Sequence, residues 1–227
     1  MHIAEGYLPL LHAAAWTGAF APHLWAGLRH PHRRRLPLPP QVAAPLVRAT
    51  GDRPALVAAI AFGLLLTSLK LPSVAGSSAH PTGMALGTAL LGPTRMAPVA
   101  LGILLLQALL LAHGGLTTLG ANAWALGVVG PWVTWATWRA LQRLGRPEAV
   151  ALGAAAALGD LATYLATAVQ LTLAQSGTGV PLASVFLTTS ALFGVTQLPI
   201  ALLEGILTTV AWRALAPERH HPTLIRP

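Results

Sequence analysis

Few charges interrupt residues 7–28, 54–71, 94–113, 120–142, 149–175 and 184–213. A helix needs about 20 apolar residues to cross the roughly 30 Å hydrocarbon layer of a bilayer, and each of these runs is close to that length or beyond it. Lipid offers an unpaired backbone group no partner, so such runs must satisfy their own N–H and C=O groups as helices. A shorter segment of small residues at 82–93 adds a seventh pass, packed inside the others. The expected fold is therefore an all-α membrane protein, a bundle of about seven transmembrane helices forming one integral membrane domain over residues 1–227. With 54% hydrophobic residues, 9% charged residues and a mean hydropathy of +0.63, the chain falls outside the soluble class. The run at 7–28 is too long for a cleavable signal peptide and has no basic residue ahead of it.

The net charge of +8 is topological in origin. If the N-terminus lies outside, the cytoplasmic segments are 29–53, the 93–95 turn, 139–148 and the tail. They hold Arg29, Arg33, Arg34, Arg35, Arg48, Arg53, Arg95, Arg139, Arg143, Arg146, Arg213, Arg219 and Arg226, leaving only Lys70 elsewhere. Basic residues are retained on the cytoplasmic side during insertion, so the C-terminus is expected inside and nucleic acid is not an expected partner. Residues 29–53 read as a basic connector broken by Pro37, Pro39, Pro40 and Pro45, and residues 214–227 as a cytoplasmic tail.

Cysteine is absent, so any bound metal must be held by nitrogen or oxygen. Met1 and His2 form a ready chelate. The α-amine, the His2 backbone nitrogen and the His2 ring close a five-membered and a six-membered metal ring, and one further nitrogen completes a planar site of the kind that suits Ni(II) and Cu(II). The plain alternative is that His follows the initiator Met by chance. His80, in Gly76-Ser77-Ser78-Ala79-His80-Pro81-Thr82-Gly83, is either the inward-pointing fourth nitrogen or a cap on the short helix. His113, within the glycine-rich stretch to Asn122, either hydrogen-bonds the metal's surroundings and lines the access route or is a structural loop residue. His12 and His23 read as packed or snorkelling side chains. His30, His32, His220 and His221 read as solvated. Gln107, Asp160 and Glu204 fall inside spans, where a polar group is a functional candidate by default, although a hydrogen bond across helices is the simpler reading of Asp160 and Glu204. Gln197 and Glu204, seven apart, share a helix face. Small residues at 151–159 and 13–19 suit close helix–helix contact, either within the bundle or with another subunit.

At its N-terminus, Met1-His2-Ile3-Ala4-Glu5-Gly6-Tyr7-Leu8-Pro9, the chain resembles the substrate-capture (S) subunits of energy-coupling factor transporters for cobalt and nickel, the CbiM/NikM type. Lys70-Leu71-Pro72-Ser73-Val74 through His80-Pro81-Thr82-Gly83 matches in order. So do Leu111–Asn122, Asp160-Leu161-Ala162-Thr163-Tyr164, and Gln197-Leu198-Pro199-Ile200-Ala201 with Glu204-Gly205. The resemblance implies seven membrane helices, with the N-terminus threaded into the bundle. It implies a metal site made by the amine of Met1, the backbone nitrogen and ring of His2, and the ring of His80. It also implies partners: a membrane coupling (T) protein, a pair of cytoplasmic ATPases and often a small accessory membrane protein. The chain itself has no nucleotide-binding loop, is not expected to be an enzyme and needs no cofactor; Co2+ or Ni2+ is its cargo. The setting implied is the inner membrane of a bacterial or archaeal cell. Two departures stand out. Ser77-Ser78-Ala79 replaces a loop that in relatives often carries Cys and Ser, and Ala4 stands where a bulkier residue is common.

Glu5, His113 and Asn122 are expected to orient the imidazoles around the ion. Amine and imidazole, with ordinary pKa values near about 8 and 6.5, compete with protons, so capture should weaken as pH falls. A tag or added residue ahead of Met1 should abolish tight binding. Similarity through Leu111–Asn122 favours cobalt, hence cobalamin supply, over a nickel-specific subunit. A stand-alone secondary transporter, a structural scaffold and an intramembrane hydrolase using Asp160 with Glu204 or a histidine are the competing classes.

Overall fold

Every apolar run becomes helix in the computed structural model, which describes residues 2–29, 52–68, 71–72 and 78–215. The helices are α1 (Leu10–Arg29), α2 (Asp52–Thr67), α3 (Met84–Leu91), α4 (Met96–Leu110), α5 (Leu119–Trp124), α6 (Gly130–Arg143), α7 (Glu148–Ala174) and α8 (Leu182–Leu215). A five-residue π turn, Ala125–Val129, joins α5 to α6 without a break. Pro131 lies just beyond it; lacking an N–H and crowding the preceding turn, a proline there favours the wider winding. Among the described residues, α4 with its leading turn, α7 and α8 are long and apolar enough to cross a bilayer. Residues 30–51 of the connector, the tail from 216, and residues 69–70 and 73–77 lie outside the described residues, as do His30, His32, His220 and His221.

The expected spans differ from the helices mainly at their ends. α1 begins at Leu10, after a turn at Glu5–Gly6 in which Gly6 takes φ 79°, a conformation that favours glycine. α2 stops at Thr67, whose hydroxyl donates back to the Gly63 carbonyl at 2.7 Å. The chain then makes a two-residue antiparallel ladder, Leu71 opposite Ala79 and Pro72 opposite Ser78, which delivers His80 to the foot of α3. This ladder is the one departure, among the described residues, from an all-helical fold.

Packing follows residue size. α7 and α8 run together along most of their lengths. A side chain at Gly153 would start 2.7 Å from the Gly205 carbonyl oxygen and strike the Thr209 hydroxyl. Gly153→Val is accordingly expected to force the pair apart, costing about 1–3 kcal/mol as overpacking does; thermal unfolding in detergent should show a lower Tm than the parent. Two apolar clusters fill the interior. Phe20, Met84, Met96, Val99, Ile103, Leu104 and Leu126 form one. Leu86, Leu152, Trp138 and Trp212 anchor the other, the two indoles meeting edge to face at 5.8 Å. Residues Met84–Ala89 of α3 are all buried, as expected of a short pass enclosed by its neighbours.

The polar groups are distributed by end. Arg95 precedes α4 and His113 follows it. Gly27, two residues before Arg29, lies against the Thr94 carbonyl, so the basic ends of α1 and of the α3–α4 turn meet. The histidines gather at the opposite end of α4.

Candidate metal centre

A strand-like clamp places His2. The Ile3 N–H donates to Asn122 Oδ1 at 2.8 Å, and the Ile3 carbonyl accepts from Asn122 Nδ2 at 3.0 Å and from the Thr118 hydroxyl at 2.7 Å. One side chain from α5 thus does for Ile3 what a neighbouring strand would do, and the buried side chains of Ile3 and Leu8 pack with Ala13 and Ala121. Glu5 accepts from the Thr117 N–H at 3.2 Å and from the Thr117 hydroxyl. These bonds hold the Glu5 carboxyl below its ordinary value. A carboxylate so lowered supports the folded arm above its unfolded-state pKa and releases it only as pH falls through the lower folded value. Glycine is needed where the arm crosses the loop: a Cβ on Gly115 would lie 2.7 Å from the Glu5 backbone nitrogen. Met1 lies outside the described residues.

His80 is fully buried, and its environment favours one tautomer. Nδ1 lies 3.2 Å from the Pro81 carbonyl, which can only accept, so this contact favours the tautomer with the proton on Nδ1 and the lone pair on Nε2. The backbone is held on both sides of the ring. The Tyr164 hydroxyl donates to the His80 carbonyl at 3.1 Å. Glu204 accepts from the Thr82 N–H, from the Thr82 hydroxyl at 2.7 Å and from the Gly83 N–H at 3.0 Å. These are donors at the start of α3 that no carbonyl of that helix can serve. Of the two readings open for Glu204, the structure gives the hydrogen-bonding one.

His2, His80 and His113 converge. One ring nitrogen from each lies within 4.8 Å of the others. The ring centroids of His2 stand 4.9 Å from those of both His80 and His113, and His80 Nε2 is 3.4 Å from His113 Nε2. Metal–nitrogen bonds of about 2.0–2.1 Å put donors on opposite sides of an ion about 4 Å apart, so small ring movements bring these nitrogens to bonding distance. Ala112, immediately before His113, takes φ 46° without being glycine, a strained conformation held at the lip of the cluster. His113 is therefore drawn further into the cluster than its glycine-rich surroundings foretold. Asn122 and Glu5 behave differently from expectation. They hold the arm and the loop, and neither bonds an imidazole.

The remaining buried polar residues separate. Gln107 Nε2 donates to the Thr67 hydroxyl oxygen at 2.8 Å, tying α4 to α2 beside the histidines. Asp160 is buried with neither carboxylate oxygen hydrogen-bonded among the described residues, whereas both oxygens of Glu204 are occupied. His12 and His23 stay outside the cluster, and His23 is exposed. Thr82, Thr67 and Tyr164 were not read from the sequence as parts of the site. Thr82 beside His80-Pro81 and Tyr164 in the segment Asp160–Tyr164 fall within stretches that carry the family resemblance, which could have pointed to them.

The chain is similar to known proteins along nearly its whole length. Residues 2–222 match the family model for the CbiM cobalt uptake substrate-specific transmembrane region. Over 214 residues the chain is 48% identical to a "Cobalt transport protein CbiM" of Kyrpidia tusciae, covering 92% of this chain and 81% of that one. It is 43% identical to the protein of the same name from Anoxybacillus flavithermus, covering 95% and 82%. The fold matches a crystal structure described as a transition metal transporter with a TM-score of 0.74 at 27% identity, over 95% of this chain and 92% of the other. With a family model matched along nearly its whole length and relatives this similar, the chain belongs to the CbiM family of cobalt transport proteins.

Proposed function

We propose that this chain is the substrate-capture subunit of an energy-coupling factor importer. It takes Co2+ from the outer face and presents it for ATP-driven uptake that supplies cobalamin synthesis. The ligands are the Met1 amine, the His2 backbone nitrogen and ring, and His80 Nε2. His113 packs beside the His2 and His80 rings and screens the ion from solvent, while Asn122 and Glu5 aim the arm. The chain crosses the inner membrane of a bacterial or archaeal cell as seven passes, with the N-terminus outside and the C-terminus in the cytoplasm. A coupling protein, a pair of ATPases and an accessory membrane protein complete the transporter, and hydrolysis takes place in those other subunits. The observation that carries the reading is the convergence of His2 and His80 behind a clamped Ile3. Pre-aiming removes most of the ordering entropy that an untethered arm would lose on closing around an ion. The separation of Arg95 from His113 along α4 supports the orientation, because basic residues stay inside.

His80→Ala should lower Co2+ affinity by more than the roughly 10–100-fold that losing a mere partner of a ligand costs. Equilibrium dialysis on the purified chain, with gel filtration to verify the fold, measures this. Parent-like affinity in that variant would refute the site. Competition between Co2+ and Ni2+ in the same assay discriminates a cobalt subunit from a nickel one. Uptake into vesicles holding this chain alone would instead favour a stand-alone transporter.

A further inference from the structure

The proposed chelate makes a demand on His2 that the coordination set alone does not meet. Only Nδ1 can close a six-membered ring with its own backbone nitrogen; Nε2 points too far from the main chain. A neutral imidazole carries one proton, so metal capture needs that proton on Nε2. Free imidazole does not guarantee this, and a ring in the other tautomer must rearrange before it can bind.

A buried relay stands beside this ring. The Thr67 hydroxyl donates to the Gly63 carbonyl at 2.7 Å, which leaves its oxygen as the acceptor for Gln107 Nε2 at 2.8 Å. The direction of those two bonds settles the orientation of the Gln107 amide: the NH2 faces Thr67 and Oε1 faces away. Gln107 is fully buried, and Oε1 has no partner at hydrogen-bond geometry. The His2 Nε2 is likewise buried and unpartnered. Gln107 lies beside the histidine cluster. Its backbone is fixed there too, because the Gln107 carbonyl accepts the His113 N–H at 3.1 Å while the His113 ring stands 4.9 Å from that of His2. An unmet acceptor and an unmet ring nitrogen beside the same cluster are each costly, and pairing them with one another removes both defects together.

We propose that Gln107 is a positioning residue that accepts the Nε2–H of His2, locking the imidazole in the tautomer whose Nδ1 lone pair faces the ion. This rests on the chelate reading given under Proposed function. The chain of bonds then runs from the α2 backbone through Thr67 and Gln107 to His2, so two helices together set the protonation pattern of the arm. His80 is treated in parallel by the Pro81 carbonyl, which favours the opposite tautomer and frees Nε2. The two histidines need different nitrogens, and each has its own acceptor.

The test compares Gln107→Leu, which removes the acceptor at similar volume, with Gln107→Glu, which keeps it. Co2+ and Ni2+ affinities of Gln107→Leu should fall about 10–100-fold, while Gln107→Glu stays close to the parent. In the metal-free parent, 15N NMR of ring-labelled histidine should show His2 protonated at Nε2 and bare at Nδ1, with a mixture of tautomers in Gln107→Leu. Parent-like affinity in Gln107→Leu would overturn the proposal, as would an Nδ1–H tautomer in the parent. The parent NMR measurement holds even if Gln107→Leu fails to fold. His2→Ala separates the two levels. If it binds metal as well as the parent, the chelate reading itself is wrong; if it is inactive while Gln107→Leu binds normally, only the tautomer lock is wrong.

Discussion

Fusing a short tag ahead of Met1 is expected to abolish tight Co2+ binding while leaving the bundle folded. The tag turns the α-amine into an amide. A free amine ligates once it loses a proton near pH 8, about its ordinary pKa, whereas an amide nitrogen ligates only if a metal strips it of a proton it holds far more firmly. The five-membered ring that begins the chelate is thereby lost, and its loss weakens the neighbouring backbone-nitrogen bond too. An effect above about 100-fold is expected, since a ligand matters more than the partner of one. The clamp on Ile3 supplies the control. Its three hydrogen bonds, between Ile3 and the side chains of Asn122 and Thr118, involve nothing upstream of Ile3, so thermal stability of the tagged chain should match the parent. Dialysis against Co2+ before and after proteolytic removal of the tag makes the comparison, and recovery of affinity on cleavage is the expected result.

Glu204→Leu is expected to have the largest effect on stability. The carboxylate serves the Thr82 and Gly83 N–H groups and the Thr82 hydroxyl in a site where it is 2% exposed. Removing it strands buried donors, each costing about 1–3 kcal/mol. Glu204→Gln keeps one carbonyl acceptor and should fall between Glu204→Leu and the parent in Tm. Because the Thr82–Gly83 backbone follows directly on His80-Pro81, metal affinity should decline in the same order. An unchanged Tm in Glu204→Leu would mean that α3 finds other partners for its first turn.

How much of this was legible beforehand depended on the range of the interaction. The helices follow from hydropathy, a local property, and their positions moved by only a few residues. The end of α2 moved because the Thr67 and Ser68 hydroxyls turn back onto the preceding helical turn, and a two-residue ladder follows. No periodicity in so short a ladder announces it. The π turn was equally silent, although Pro131 marks its place. His2 and His80 were singled out from the atoms a nitrogen chelate would use, and the structure brings their rings together with that of His113. The partners of Asn122, Gln107 and Glu204 were not legible, since Asn122 meets Ile3 across 119 residues and Glu204 meets Thr82 across 122. A buried polar residue advertises that it needs a partner, and the sequence does not say which one. Asp160 is buried, and among the described residues neither of its oxygens has a hydrogen-bond partner.

The most direct test of the account is a crystal structure of the untagged chain grown with Co2+, with the ion located by anomalous scattering at the cobalt edge. The account predicts a compact, all-nitrogen shell made by the Met1 amine, the backbone nitrogen and Nδ1 of His2, and Nε2 of His80. An ion held by Asp160 or by His113 in place of His80, with the amine of Met1 in solvent, would contradict it.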